Sequence, residues 1–303
     1  MANIIVLAGG TSSEREVSLR SGAAVSEALR SAGYTVTERD PAGGLDALLP
    51  ELKKANAVFP ALHGEGGEDG VLQKFLQANH IAYVGSDDRS SELCFDKAKY
   101  TDLLVQNNIL VPETKLVKYD DFKRSSLSRK PYVLKPNEGG SSIDTFIVRD
   151  PAGADMKSIE RAFAKYQQLL LQPLIGGTEV TVAILGEEPL PVIEIIPPAG
   201  GEFDYENKYN GRTQELCPPQ HINEALQLKA QTLAKQVHDL TGCYGMSRTD
   251  IIVTNADQLY VLETNVIPGL TRESLLPKAA QAAGYGMPEL CKKLVELALT
   301  RNT

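Results

Sequence analysis

A parallel α/β unit followed by two α+β units is the architecture this sequence predicts, on three observations. Short apolar runs alternate with helical patterns over residues 1–85; the next strand candidates lie too close together for helical crossovers; and the last third joins long alternating strands to a long helix. The boundaries expected from these changes of rhythm are 1–92, 93–178 and 179–303.

In the first unit the strands are Ile4–Leu7, Ala57–Leu62 and Ile81–Val84, with helices from about Val17 to Ala32 and Val71 to Asn79. That order predicts a parallel sheet with helices on its faces. A lone helix, Asp96–Asn108, precedes strands near Thr114–Val117, Tyr132–Lys135, Asp144–Val148 and Leu169–Gln172, with a helix at Met156–Tyr166. Close spacing there predicts antiparallel pairing. The third unit holds the strands EVTVAIL and PVIEII, a helix at Asn223–Leu240, a hairpin of Met246–Val253 with the strand within Leu259–Gly269, and terminal helices. Residues 199–221 are polar and irregular, too long for an ordinary connection, and read as a functional cover.

The chain has 303 residues, 42% hydrophobic and 23% charged, which is globular composition. A net charge of −8 argues against a general nucleic-acid or anionic-membrane surface, so any phosphate ligand must be met by placed side chains. No run reaches the roughly 18 apolar residues of a membrane span, and no signal-peptide pattern opens the chain; a cytoplasmic location is expected. Cys94, Cys217, Cys243 and Cys291 are scattered without a CxxC pair, as reduced thiols are.

The chemistry concentrates in a few places. Along LYVLETNVIPG, Glu263 and Asn265 are two residues apart on a strand and share a face. Asp250 meets them if MSRTDIIV pairs across Thr254–Gln258. Two carboxylates and an amide carbonyl, without His or Cys, suit Mg²⁺ shared with phosphate oxygens; the same residues read alone also serve as solvated strand ends. KPNEGGSS, residues 135–142, lies between two strands, and its glycines and hydroxyls suit a phosphate loop or a flexible hairpin. Lys135, ending an apolar strand, requires an anion or an exit to water. Near the N-terminus, GGTSSEREVSL combines a Gly-rich turn with a Ser-x-x-Glu capping pattern, and Glu14 reads either as part of a helix start or as facing the crevice at the strand ends. ALHGEGGEDG lines the same crevice and brings His63 toward Glu14, as a structural or a functional histidine.

Taken together, GGTSSEREVSL, ALHGEGGEDG, KPNEGGSS, EFDYENKY, GMSRTDIIV and LETNVIPGLTRESLLP resemble the D-alanine:D-alanine ligases of the ATP-grasp superfamily, in order and nearly end to end. The resemblance implies a Rossmann-like N-terminal domain followed by a two-part ATP-grasp domain, and ATP-dependent joining of two D-alanines through an acyl phosphate for peptidoglycan precursors. It implies Asp250, Glu263 and Asn265 as ligands of two Mg²⁺ ions, with Mn²⁺ as a substitute. Lys97, Lys135 and Lys208 match the nucleotide-phosphate lysines, with Gly140 and Ser142 in the phosphate loop; Glu179 matches the ribose acid, and Gln172 to Ile175 the adenine hinge. Arg248 and the Gly269 amide match an oxyanion site. Glu14 and His63 match first-substrate residues, and Ser274 a holder of the second carboxylate. Glu14, Ser141 and Tyr209 match a set that closes the site, the tyrosine marking a dipeptide-forming member. A homodimer is the family expectation.

The sequence departs from the family pattern at Gly139, Asp144, Gln172 and Glu273, the last adding charge beside the second carboxylate site. Two other readings are a different ATP-grasp carboxylate ligase, which Glu14, Ser141 and Tyr209 argue against, and a nucleotide-binding regulator, which the presence of Arg248 and Glu263 argues against.

Overall fold

A computed structural model describes residues 2–140, 143–198 and 213–301. The apolar run Asn3–Leu7 forms β1, the centre of a three-stranded parallel sheet of order β2-β1-β3, with β2 at Thr35–Arg39 and β3 at Ala57–Pro60. A strand covered on both faces must be continuously apolar, which IIVL satisfies. Helix α1, Arg15–Ser31, packs Val25 and Leu29 against Ile4 and Val6.

The parallel sheet expected for this unit forms, with corrections in detail. β2 and helix α2, Leu45–Leu52, form against weak local signals: β2 is a half-exposed charged edge, and Pro50 inside α2 reads as a breaker. Ile81–Val84 makes only a single parallel bridge, Val58 with Tyr83, because the chain turns away at Gly85. The Ser-x-x-Glu cap does not form either. Glu14 is the N-cap of α1 without a side-chain cap, and the Ser12 hydroxyl accepts its amide at 3.2 Å while donating to the His63 carbonyl at 2.7 Å.

After α3, Val71–Ala78, the helix expected to stand alone is preceded by another: α4 spans Asp88–Phe95 and α5 spans Lys97–Gln106. Asp96, extended at φ −84° and ψ 95°, separates them and caps α5 by accepting the Lys99 amide. The central sheet is antiparallel, as its spacing predicts, in the order β4-β7-β5-β6: Lys115–Val117, Leu169–Pro173, Tyr132–Lys135 and Phe146–Val148. Helices α6, Tyr119–Arg124, and α7, Met156–Tyr166, close a separate core of Phe122, Tyr132, Leu134, Ile159 and Phe163, in which the Phe122 and Tyr132 rings meet edge-on at 5.6 Å.

The remaining sheet has the order β11-β10-β8-β12-β13, and the short β9, Glu188–Pro189, pairs with β8. Its strands are Gln214–Leu216, Ile193–Ile196, Thr178–Leu185, Met246–Val253 and Leu259–Asn265, all antiparallel. Part of the stretch read as irregular is therefore strand, since β11 lies inside it; residues 199–212 lie outside the described residues. Helix α8, Glu224–Leu240, is capped by Asn223, and α9, Leu275–Ala282, and α10, Met287–Thr300, complete the unit. The largest core runs through both ends of the chain, joining Ile4, Val6 and Leu29 to Val182, Met246, Leu290 and Leu294.

His238 on α8 lies inside this packing, 2% exposed, with Nδ1 2.7 Å from the Ser247 hydroxyl. Burial lowers its pKa to about 4. The unfolded chain therefore binds a proton that the native protein refuses, and stability falls as pH drops from about 6.5 toward 4, by about 3 kcal/mol for this residue. Urea unfolding of the wild type and of His238→Gln over that range is expected to show a shallower acid loss in the variant; parallel pH profiles would remove the assignment.

Candidate active site

The β12–β13 hairpin places Arg248 opposite Asn265 and Asp250 opposite Glu263, so four polar side chains occupy one face. A bulge makes this possible. The register shifts between Asp250 and Ile251, so that Ile251 pairs with Val261 and Leu262 is the extra residue. Val261 thereby joins the core, 0% exposed, although it stands two residues from Glu263 and simple alternation would put both on one face. On the other side Asp250 faces Thr181 of β8, whose hydroxyl donates to Oδ1.

Asp250 is also held by Arg248. Nε donates to Oδ1 at 2.9 Å and an Nη to Oδ2 at 2.8 Å, a bidentate pair whose side chains are 12% and 9% exposed. Arg248 thus sits beside Asp250 as the strand spacing requires.

This face opens on a cavity of about 560 Å³ between the central and C-terminal sheets, a volume suited to a nucleotide-sized ligand. Lys97, Lys135, Gly140, Gln172, Ile175, Glu179, Asp250 and Glu263 all line it. Asn265 lies in a small adjoining cavity with Lys97, Gly140 and Glu263. Lys97 opens α5, and its ammonium donates to the Gly139 carbonyl at 2.6 Å. Asn137 fastens the same loop to the helix: its carbonyls accept the Lys97 and Ala98 amides, and its side-chain nitrogen donates to Asp96 at 2.9 Å. Gln172 is buried and donates to the Thr114 hydroxyl at 2.7 Å, while the Leu174 amide is spent on the Pro131 carbonyl.

Glu14 enters from the N-terminal unit, 5% exposed. A Cβ on Gly64 would lie 2.7 Å from its Oε2, and one on Gly140 would lie 2.8 Å from it, so the carboxylate sits between two close-approaching loops, and Gly64 at φ +72° holds a conformation natural to glycine. Glu68, which sequence reasoning passed over within ALHGEGGEDG, is also buried and accepts the Gly64 amide at 2.7 Å. Burial, reinforced by the charge of Glu14, pushes its pKa well above the carboxylate range. The acid-rich glycine loop was the available signal. His63 is 5% exposed, and burial lowers its pKa to about 4 against a hydrogen bond to the Ile267 backbone, so the ring is neutral at pH 7.

The Ser21 hydroxyl joins two loops, meeting His63 Nε2 at 2.9 Å and accepting the Leu270 amide at 3.4 Å. Gly269 and Ser274 adjoin: a Cβ on Gly269 would lie 2.8 Å from Ser274 Oγ, which accepts the Thr271 amide at 3.1 Å. Glu273 is 88% exposed and its charge faces Lys278 at 3.4 Å. Asp144 adopts φ +54°, a conformation natural to glycine and tolerated by aspartate, and its carboxylate accepts Lys165 and Tyr166 at 2.8 and 2.7 Å. Ser141, Ser142, Lys208 and Tyr209 lie outside the described residues.

Among the described residues no group of three His, Cys, Asp or Glu side chains is placed to hold a metal. The candidate set is two carboxylates and an amide, an all-oxygen combination suited to a hard cation, and the buried Asn265 Nδ2 has no hydrogen-bond partner. These residues fit such an ion through Asn265 Oδ1 and the carboxylates.

The geometry makes Arg248→Ala a test of the pair. The change strands a buried carboxylate, and the melting temperature is expected to fall by several degrees, consistent with a loss of about 3 kcal/mol. An unchanged melting temperature would mean that Asp250 is satisfied without Arg248.

Comparison with known proteins gives two family-model matches: D-ala D-ala ligase C-terminus over residues 105–296 and D-ala D-ala ligase N-terminus over residues 40–86. The D-alanine–D-alanine ligase of Syntrophotalea carbinolica is 39% identical over 301 residues, covering 99% of this chain and 97% of the relative. That of Nitratidesulfovibrio vulgaris strain DP4 is 37% identical, with 98% of each covered. The D-alanine–D-alanine ligase structure from Bacillus anthracis superposes with a TM-score of 0.85 at 30% identity, covering 99% of this chain and 98% of that one. A Bacillus anthracis structure complexed with ATP gives 0.83 at 27%, over 99% and 97%. With the ATP-grasp fold, the polar hairpin face and full-length similarity in agreement, the chain belongs to the D-alanine–D-alanine ligase family.

Proposed function

We propose that this chain uses ATP to join two D-alanines into D-alanyl-D-alanine, releasing ADP and phosphate, for peptidoglycan precursors. The observation that carries the reading is the pairing of Asp250 with Glu263 on a hairpin face that also holds Arg248 and Asn265, with both acids lining the same cavity as Lys97 and Lys135. Ligation of a carboxylate to an amine requires the carboxylate to be activated, and transfer of the γ-phosphoryl group of ATP makes an acyl phosphate from it. The amine of the second D-alanine then attacks, and phosphate leaves.

In this reading Lys97, Lys135 and Lys208 neutralise the nucleotide phosphates, and Gly140, Ser141 and Ser142 approach them through the loop. Gln172 to Ile175 flank the base and Glu179 holds the ribose. Asp250, Glu263 and Asn265 hold Mg²⁺, or Mn²⁺ in its place, which supplies charge neutralisation for phosphoryl transfer. Arg248 and the Gly269 amide stabilise the oxyanion formed by amine attack. Arg248 serves this role while bound to Asp250, because the pair fixes the guanidinium before charge develops.

Glu14 receives the ammonium of the first D-alanine, with His63 alongside as a neutral ring that adds no repelling charge. Ser274 orients the second carboxylate, and Tyr209 with Ser141 and Glu14 closes the site against water. The reading puts the nucleotide between the second and third of the expected units, 1–92, 93–178 and 179–303. We take the protein to act as a homodimer in the cytoplasm; among the described residues no helix is long and apolar enough to cross a membrane.

Purified protein given ATP, Mg²⁺ and D-alanine is expected to release phosphate and form D-alanyl-D-alanine by mass spectrometry, with neither product from L-alanine. A D-Ala:D-Ser ligase from Enterococcus faecalis shares the fold, with a TM-score of 0.81 at 28% identity over 98% of this chain and 99% of that one. D-serine and D-lactate therefore belong in the assay as competing second substrates, and preferential use of either would replace the dipeptide assignment. Asp250→Asn and Glu263→Gln are expected to lower kcat by at least a hundredfold; full turnover with both changes would end the metal assignment. Arg248→Ala, assayed below its melting temperature, should keep ATP affinity within a few-fold and lose ligation, and an equal loss of both would move Arg248 out of the oxyanion site.

A further inference from the structure

Cys94 and Cys243 are 149 residues apart in sequence, and the fold brings their Sγ atoms to 3.9 Å. Cys94 is on the last turn of α4, and Cys243 lies in the turn between α8 and β12. Both are buried, at 7% and 8% exposure. Hydrogen bonds hold the two elements together beside the sulfurs: the Ser90 hydroxyl donates to the Gly242 carbonyl at 2.9 Å, and the Tyr244 amide donates to the Ser86 hydroxyl at 3.1 Å. The Thr241 hydroxyl reaches Cys243 Sγ at 3.2 Å. Cys94 also borders the small cavity shared with Lys97, Gly140, Glu263 and Asn265, which gives a small reagent a way in from the cleft.

We propose that Cys94 and Cys243 form an oxidation site, at which a hydroperoxide converts the two thiols into a disulfide linking α4 to the turn before β12. Neither thiol has a role in the ligation chemistry, so the proposal stands apart from the functional reading. A disulfide needs its sulfurs about 2.05 Å apart, and rotation about the Cα–Cβ bonds offers the means of closing the gap.

Access sets the order of events, because Cys94 borders the small cavity and Cys243 Sγ lies 3.9 Å from its sulfur. The Cys94 sulfur attacks one peroxide oxygen; the O–O bond breaks, the departing hydroxide takes the proton lost from Cys94 to become water, and a sulfenic acid remains. The Cys243 sulfur, which the Thr241 hydroxyl reaches at 3.2 Å, then attacks that sulfur, the S–O bond breaks, and the departing hydroxide takes the Cys243 proton as a second water. Two thiols and one hydrogen peroxide give one disulfide and two waters, the sulfurs losing the two electrons that the peroxide gains. Cys291, fully buried in the main core, has no such route.

The test treats the folded, full-length protein with hydrogen peroxide, removes the reagent, and titrates thiols with Ellman's reagent after denaturation. The count is expected to fall from four to two, and dithiothreitol should restore all four. Proteolysis without reduction should release a peptide cross-linked through Cys94 and Cys243. Cys94→Ser and Cys243→Ser should each abolish that cross-link. Four thiols surviving in the wild type, a cross-link through Cys217 or Cys291, or oxidation confined to a single cysteine would overturn the proposal.

Discussion

The bulge opposite Asp250 and Ile251 is the constraint from which the rest of the site follows. An unbroken strand with period two would send Val261, Glu263 and Asn265 to the same face, burying the acid or exposing the valine. One extra residue, Leu262, resets the phase, so that Ile251 and Val261 enter the core while Asp250 and Glu263 stand together at the cleft. Thr264, on the core side, is then hydrogen-bonded to Tyr100 of α5 at 2.7 Å and to Thr249 at 2.9 Å. The hairpin that carries the acids is therefore bolted to the helix that carries Lys97. The distance between the proposed metal and phosphate groups is set by packed secondary structure.

Concentrating acids in a partly dry cleft requires their charges to be met. Arg248 meets Asp250 with both of its oxygens engaged, and Thr181 adds a donor from the neighbouring strand. Glu14 and Glu68 share a buried corner, where burial and mutual repulsion favour a proton on Glu68. His63 remains neutral beside them. The arrangement keeps the cationic charge on Arg248, Lys97 and Lys135, where the proposed phosphates and oxyanion would draw on it, and the Gly64 amide meets Glu68.

The three units are coupled by different means. The N-terminal and C-terminal units share one hydrophobic core, which fixes Glu14 and His63 relative to the β12–β13 hairpin. The central sheet has its own core and reaches the others through polar ties, chiefly Asn137 to the start of α5 and Lys97 to Gly139. Hydrogen bonds of this kind open at lower cost than a buried apolar interface, so the end of β5 and residues 136–140 belong to the part of the molecule best suited to local rearrangement. The pair Cys94 and Cys243 joins the helix just before the segment that positions Lys97 to the turn that leads into β12.

Residue order alone determined the hydrophobic periodicity, and with it the parallel first sheet, the antiparallel central sheet and the hairpin of the two acidic strands, because these follow from spacing and side-chain polarity. Its motifs also carried the family resemblance and named Lys97, Lys135, Gly140, Gln172, Ile175, Glu179, Asp250 and Glu263, which line the cleft. Weak local signals hid the rest: β2 is a charged edge, α2 contains Pro50, α4 begins in a polar run, and β11 sits within a loop-like stretch. Only the tertiary structure decided the bulge that separates Val261 from Glu263, the bidentate hold of Arg248 on Asp250, the burial of Glu68, and the meeting of two cysteines that sequence left scattered. Each depends on contacts between segments far apart in the chain, and one-dimensional spacing does not encode which of them will touch.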